Sequence, residues 1–324
     1  MDGPARAGRY RIDGLLGDGG FSTVWLGYDE ELDASVAVKI LGTHWAGRKD
    51  VRNRFLQEAR LLRRADSHLL VQVFDVGELP DGRPYFVMSH ADRGTLEGRL
   101  PGGPLPLDEI VHVAGAVADG LTVLHDMGVV HRDVKPSNVL IRTSPSGGER
   151  LLLSDLGAAK QFMTAQGMTA GLGTVGYAAP EQMPIGQDLD ARADVYGLGA
   201  LVYHLLAGRP PAPYEERILP GAGRADVPKA VGDVVMKAIA RDREDRWPSA
   251  RAFADALSAA AAPPGDARPG RRAPARPFPG RDRAGLSRGS PWASPFWAAW
   301  WWRACFSCPP PRTSRRPRGA PAGG

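Results

Sequence analysis

The sequence predicts an α+β fold in two lobes, from three observations. Short apolar and β-branched runs crowd residues 10–90, and after Leu107 the apolar period lengthens from two to that of a helix. After Ala262 the composition turns to Pro, Arg, Gly and Ala, which bury too little apolar surface to order a chain. A strand-rich half followed by a helix-rich half is the pattern of segregated α+β architecture.

The strand runs are Tyr10–Leu16, Thr23–Gly27, Ser35–Leu41, Val71–Val76 and Pro84–Met88, with turn chemistry such as Pro80-Asp81-Gly82 between them. One helix interrupts them: Val51–Arg64 sets Phe55, Leu56, Ala59 and Leu62 at helical spacing. Ile110, Val113, Ala114, Val117, Leu121 and Leu124 form the apolar face of a long helix from Leu107 to Gly128. Further helices are predicted at Arg192–Ala207, Pro228–Ala240 and Pro248–Ala260. Between Gly208 and Val231, Pro210, Pro211, Pro213 and Pro220 leave little room for another. These boundaries predict one domain over 10–260, with an N-lobe of about 10–90 and a C-lobe of about 91–260. Residues 261–324 are expected to be a Pro/Arg/Trp-rich low-complexity tail.

Charge is divided along the chain. The net charge is +5, but residues 260–324 hold twelve Arg against Asp266 and Asp282, so the folded part is mildly acidic. The basicity therefore does not argue for a specific nucleic-acid site. Cys305 and Cys308 are the only cysteines, which excludes a disulfide framework. No apolar signal segment follows Met1, and a cytoplasmic domain is the expectation. Trp292–Phe306 holds five of the eight tryptophans but is broken by Pro295 and Arg303, too short for a membrane span. Peripheral membrane adsorption through Trp beside Arg is the minor reading of the tail.

Gly17-Asp18-Gly19-Gly20-Phe21-Ser22-Thr23-Val24 lies between two strand runs. Glycines let a hairpin backbone approach phosphates and point N–H groups at them, and a dinucleotide fingerprint would open a helix instead. Lys39 alternates with apolar neighbours in Ala37-Val38-Lys39-Ile40; alone, it reads as an edge lysine. The following helix carries Glu58 on its buried side, flanked by Phe55 and Leu62. A buried carboxylate needs a cation, and Lys39 is the natural partner.

The most informative segment is His131-Arg132-Asp133-Val134-Lys135-Pro136-Ser137-Asn138-Val139-Leu140. It resembles the H-R-D-x-K-x-x-N catalytic loop of the eukaryotic-like (Hanks-type) bacterial serine/threonine protein kinases, and the resemblance covers residues 10–259. It implies the bilobal kinase fold and transfer of the γ-phosphoryl of ATP to protein Ser/Thr hydroxyls. Asp133 resembles the group that orients the hydroxyl, Lys135 the cation beside the transferring phosphoryl, and Asn138 a metal ligand. Asp155 in Ser154-Asp155-Leu156-Gly157 matches the second metal ligand, with Leu in place of the usual Phe. The implied cofactors are ATP and Mg²⁺, with Mn²⁺ as an alternative.

The same resemblance assigns further positions. Leu16, Gly17, Gly19, Gly20, Val24, Ala37, Leu140 and the hinge residues Met88, His90 and Ala91 would surround the nucleotide. Asp92 would reach the ribose, and Lys39 with Glu58 would hold the phosphates. Thr174, in Gly173-Thr174-Val175-Gly176-Tyr177-Ala178-Ala179-Pro180-Glu181, would bond near Asp133 and Lys135. Glu181 with Arg246, and Asp194 beneath the catalytic loop, are structural expectations. Thr164 and Thr169 are expected autophosphorylation sites, with Arg132 receiving the phosphate. Related bacterial kinases often dimerise through the N-lobe, which the sequence leaves open here. A pseudokinase scaffold is disfavoured because Lys39, Asp133, Asn138 and Asp155 are all present. The intact segment through Glu181 disfavours a small-molecule kinase.

Overall fold

The computed structural model describes residues 3–102, 105–157, 176–182, 189–212 and 218–262. Thr164, Thr169 and Thr174, and the tail from residue 263, lie outside the described residues.

The N-lobe is a six-stranded antiparallel sheet with one helix against it. Its strands are β1 (Arg6–Ala7), β2 (Tyr10–Asp18), β3 (Ser22–Asp29), β4 (Ala34–Leu41), β5 (Val73–Glu78) and β6 (Pro84–Ser89), in the order β1-β2-β3-β4-β6-β5. β1 precedes the expected boundary at residue 10 and pairs Ala7 with Tyr10. It was missed because two residues carry no periodicity.

Helix α1 (Lys49–Ala65) lies between β4 and β5 and buries Val51, Phe55, Glu58, Ala59 and Leu62. Its Phe55 ring sits 5.0 Å from Phe86 of β6 and 6.3 Å from Phe21 at the glycine turn, by centroids. The apolar stripe read from the sequence is therefore the face that docks on the sheet.

The C-lobe is helical. Helices α2 (Leu107–Asp126), α3 (Arg192–Ala207), α4 (Lys229–Ala238) and α5 (Ala250–Ala261) pack around one core. Helix α3 is buried almost all round, and its glycines allow the close approach: a Cβ on Gly199 would lie 2.6 Å from Ala238 Cβ of α4. Ser249 caps α5, its hydroxyl accepting from Ala252 N. No helix forms in the described parts of 209–228.

A hairpin of β7 (Val139–Thr143) and β8 (Glu149–Leu153) lies between the lobes. Leu153 N donates to Leu69 O (2.9 Å) and Val71 N to Leu153 O (3.0 Å), so the α1–β5 connection is stitched to the hairpin. Among the described residues no helix is long and apolar enough to cross a membrane.

Candidate active site

The glycine-rich turn is a tight hairpin. Gly19 N donates to Ser22 O (3.0 Å) and Ser22 N to Gly19 O (3.1 Å), joining β2 to β3. Gly17 pairs with Val24, and the register shifts around Leu16, which is exposed. The turn is anchored from below. Gly42 N donates to Phe21 O (3.0 Å), and the Trp45 indole N–H donates to Gly20 O (2.9 Å). Trp45 was not singled out from sequence, because nothing local marks a side chain that closes on a turn 25 residues earlier.

Beneath this turn, β4 and β6 set Lys39 opposite Phe86 and Ala37 opposite Met88. Lys39 is buried, and its ammonium sits 2.7 Å from Glu58 Oε1 and 2.5 Å from Asp155 Oδ1. Burial alone would lower its pKa; the Asp155 and Glu58 carboxylates outweigh that and raise it. The cation expected to pair with Glu58 thus bridges two carboxylates, one from each lobe.

The catalytic loop is braced by buried polar groups. Asp194, at the start of α3, accepts from Arg132 N (2.7 Å) at one oxygen. The other oxygen accepts from His131 N (2.7 Å) and lies 2.8 Å from His125 Nε2. His131 is wholly buried, its Nε2 is 3.0 Å from Ser154 O, and its carbonyl accepts from Gly157 N (2.8 Å). Arg132 and Asp155 both take positive φ, at 70° and 60°. For residues with a Cβ this is strained backbone, held by these bonds.

Asp133, Lys135 and Asn138 meet on this frame, and Ser154 N, next to Asp155, donates to Asn138 O (2.9 Å). Asn138 Nδ2 donates to Asp133 Oδ2 (2.9 Å) and Asp133 O (2.7 Å), and Lys135 Nζ lies 3.2 Å from Asp133 Oδ2. Gly157 is obligatory for close packing: a Cβ there would meet Asp133 Cβ at 2.9 Å and Arg132 C at 3.2 Å. Leu156, standing where Phe is usual, is buried in the core.

At the hinge, Met88 and Ala37 are buried, while Val24, His90, Ala91 and Leu140 are half-buried. Asp92 is tied to the hairpin. Its carboxylate accepts from Thr143 N (2.8 Å) and from the Thr143 hydroxyl, because the end of β7 runs beside it.

Glu181 and Arg246 form a bidentate pair (2.6 and 2.7 Å), the arginine also donating to the carbonyls of Ala240, Arg192 and Arg241. Gln182, which sequence reading passed over, donates to Arg132 O (2.8 Å) and accepts from Ala179 N (2.8 Å). It ties this segment to the catalytic loop.

A model of the protein kinase domain matches residues 10–252. The chain belongs to the protein kinase family. Two curated relatives of this kinase-family chain are serine/threonine-protein kinases of Mycobacterium tuberculosis (strain ATCC 25618 / H37Rv). PknL is 38% identical over 269 residues, covering 78% of this chain and 66% of PknL. PknJ is 36% identical over 275 residues, covering 78% of this chain and 45% of PknJ. This kinase-family chain thus spans two thirds or less of those relatives. Among solved structures, the M. tuberculosis PknI kinase domain aligns with a TM-score of 0.61 at 30% identity, over 77% of this chain and 94% of that one.

Proposed function

We propose that the chain is an ATP-dependent serine/threonine protein kinase of a bacterial signalling system, active on protein substrates and on itself. The observation that carries the reading is that four segments assemble two groups, Lys39 with Glu58 and Asp155, and Asp133 with Lys135 and Asn138, linked where Ser154 N donates to Asn138 O (2.9 Å). Phosphoryl transfer needs chiefly positioning and charge stabilisation, and this set supplies both.

Asp133 orients the acceptor hydroxyl and takes its proton. Lys135, already beside Asp133, offsets charge on the transferring phosphoryl, and Lys39 holds the neighbouring phosphates. Asn138 and Asp155 supply oxygen donors for a divalent cation, which we assign as Mg²⁺. A hard cation shared with phosphates needs only one or two protein ligands. Among the described residues no cluster of three or more His, Cys, Asp and Glu could hold a metal by itself, which fits a pair that works with the nucleotide. Held by Asn138 and Asp155, such a cation would offset negative charge on the phosphates of the nucleotide.

Lysine two residues after Asp133 favours serine and threonine over tyrosine as acceptors. Thr169, and secondarily Thr164, are the proposed autophosphorylation sites. The test is transfer of labelled phosphate by the purified chain to itself and to a generic acceptor protein. Asp133→Asn is expected to lower turnover by roughly 10²–10⁴-fold with ATP affinity nearly unchanged. Undiminished turnover in that variant overturns the reading.

A further inference from the structure

Beside the end of β6 lies a small polar cleft that this mechanism does not use. It is lined by His68, Leu70, Gln72, Ser89, Arg142, Arg150 and Leu152, and its volume is about 220 Å³ with its open side included. Three parts of the chain meet there: the α1–β5 connection, the end of β6 and the β7–β8 hairpin.

Arg142 and Arg150 face each other as direct cross-strand partners. Two like charges so placed repel and destabilise the hairpin unless an anion lies between them. Neither forms an ion pair among the described residues, and Arg150 Nε is buried without a hydrogen-bond partner. The neighbouring Glu149 does not supply the missing charge. It points to the other face of the strand, as alternate residues do, and pairs with Arg99 at 2.5 Å. Ser89 is buried, and its oxygen accepts from Gln72 N (3.3 Å), leaving the hydroxyl proton to donate. The cleft thus presents two guanidinium groups, an imidazole, an amide and a hydroxyl, with no carboxylate in its wall.

We propose that this cleft binds a phosphoryl-sized oxyanion, held by Arg142 and Arg150 with Ser89 and His68 at its edge. Forked guanidinium donors match the oxygens of a phosphoryl group. Counted as a closed cavity it offers only about 40 Å³, far below a nucleotide pocket, so one tetrahedral anion is the occupant rather than a second ATP. The anion is either free phosphate or the phosphate of a modified side chain. Bound there, it clamps the α1–β5 connection onto the hairpin.

The test uses the full chain and inorganic phosphate as the probe, followed by calorimetry and thermal unfolding at constant ionic strength against chloride. Saturable binding is expected in the wild type and in Lys39→Ala, which separates this cleft from the nucleotide site. Arg142→Gln with Arg150→Gln is expected to weaken it by at least about tenfold. Arg150→Lys keeps the charge but loses the fork, so it is expected to weaken phosphate measurably while ATP affinity stays unchanged. A phosphothreonine peptide that competes with phosphate, when its unmodified twin does not, identifies a modified side chain as the source. Failure to compete identifies free phosphate. No saturable binding, binding lost in Lys39→Ala, or affinity unchanged in both arginine variants overturns the proposal; the last result would trace the binding to the basic tail.

Discussion

His131 is a residue whose placement fixes its charge. It is wholly enclosed, and burial pushes its imidazole below the usual value, with Asp194 and Asp133 opposing that shift only in part. The unfolded chain therefore holds the proton at a higher pH than the folded one. His131 contributes full stability above its unfolded value of about 6.5 and loses it as the pH falls through the folded value. Urea midpoints are expected to drop between about pH 7.5 and 5.5. In His131→Asn the drop is expected to be shallower, from a lower starting stability. A variant that keeps the wild-type slope would show that another group titrates. Lys39 follows the opposite sign: its raised pKa keeps it a cation through the physiological range.

At the scale of elements, much of the site was legible because its chemistry is local in sequence. The spacing of Asp133, Lys135 and Asn138 is set within six residues, and Glu58 was legible from the buried stripe of α1. Other contacts were not, because they join distant segments through residues with no pattern of their own. Gln182 reaching Arg132 across 50 positions and His125 reaching Asp194 across 69 are of this kind. The Asp92–Thr143 contact was hidden for a related reason: Val139–Thr143 was not read as a strand, and the side-by-side course of hinge and hairpin is tertiary.

Gly157 shows how tightly one element is set against another. The absent Cβ leaves room for Asp133 and the Arg132 carbonyl carbon. Gly157→Ala is expected to push the Asp155 segment off the catalytic loop and lower kcat by ten-fold or more, a displacement of the order that costs about 10²-fold when it reaches the chemistry. The thermal midpoint is expected to fall by only a few degrees, about 1–3 kcal/mol of overpacking. A kinetic effect no larger than the stability loss explains would contradict this placement.

For the whole molecule, the Glu181–Arg246 pair links the segment after the activation region to the base of the C-lobe. The arginine side chain is fully enclosed and the carboxylate nearly so. Removing one partner leaves a buried charge uncompensated, so Glu181→Ala is expected to destabilise the fold by roughly 3–5 kcal/mol in urea unfolding. Arg246→Met, which also leaves the carbonyls of Ala240, Arg192 and Arg241 without their donor, is expected to cost at least as much. A loss below about 1 kcal/mol in either would mean the pair behaves as a surface ion pair.

The stitching of Leu69 and Val71 to Leu153 has a mechanical consequence. This backbone pairing ties the lobes together next to the covalent passage after Ser89, so the two halves are sewn at a seam as well as threaded on one chain. The Lys39–Asp155 bond is a further tie across the lobes, so any group that competes for either partner loosens that tie as well as altering the local charge. The cleft lined by Arg142 and Arg150 borders this seam, and the anion proposed there would act as a rivet through it, remote from the catalytic groups.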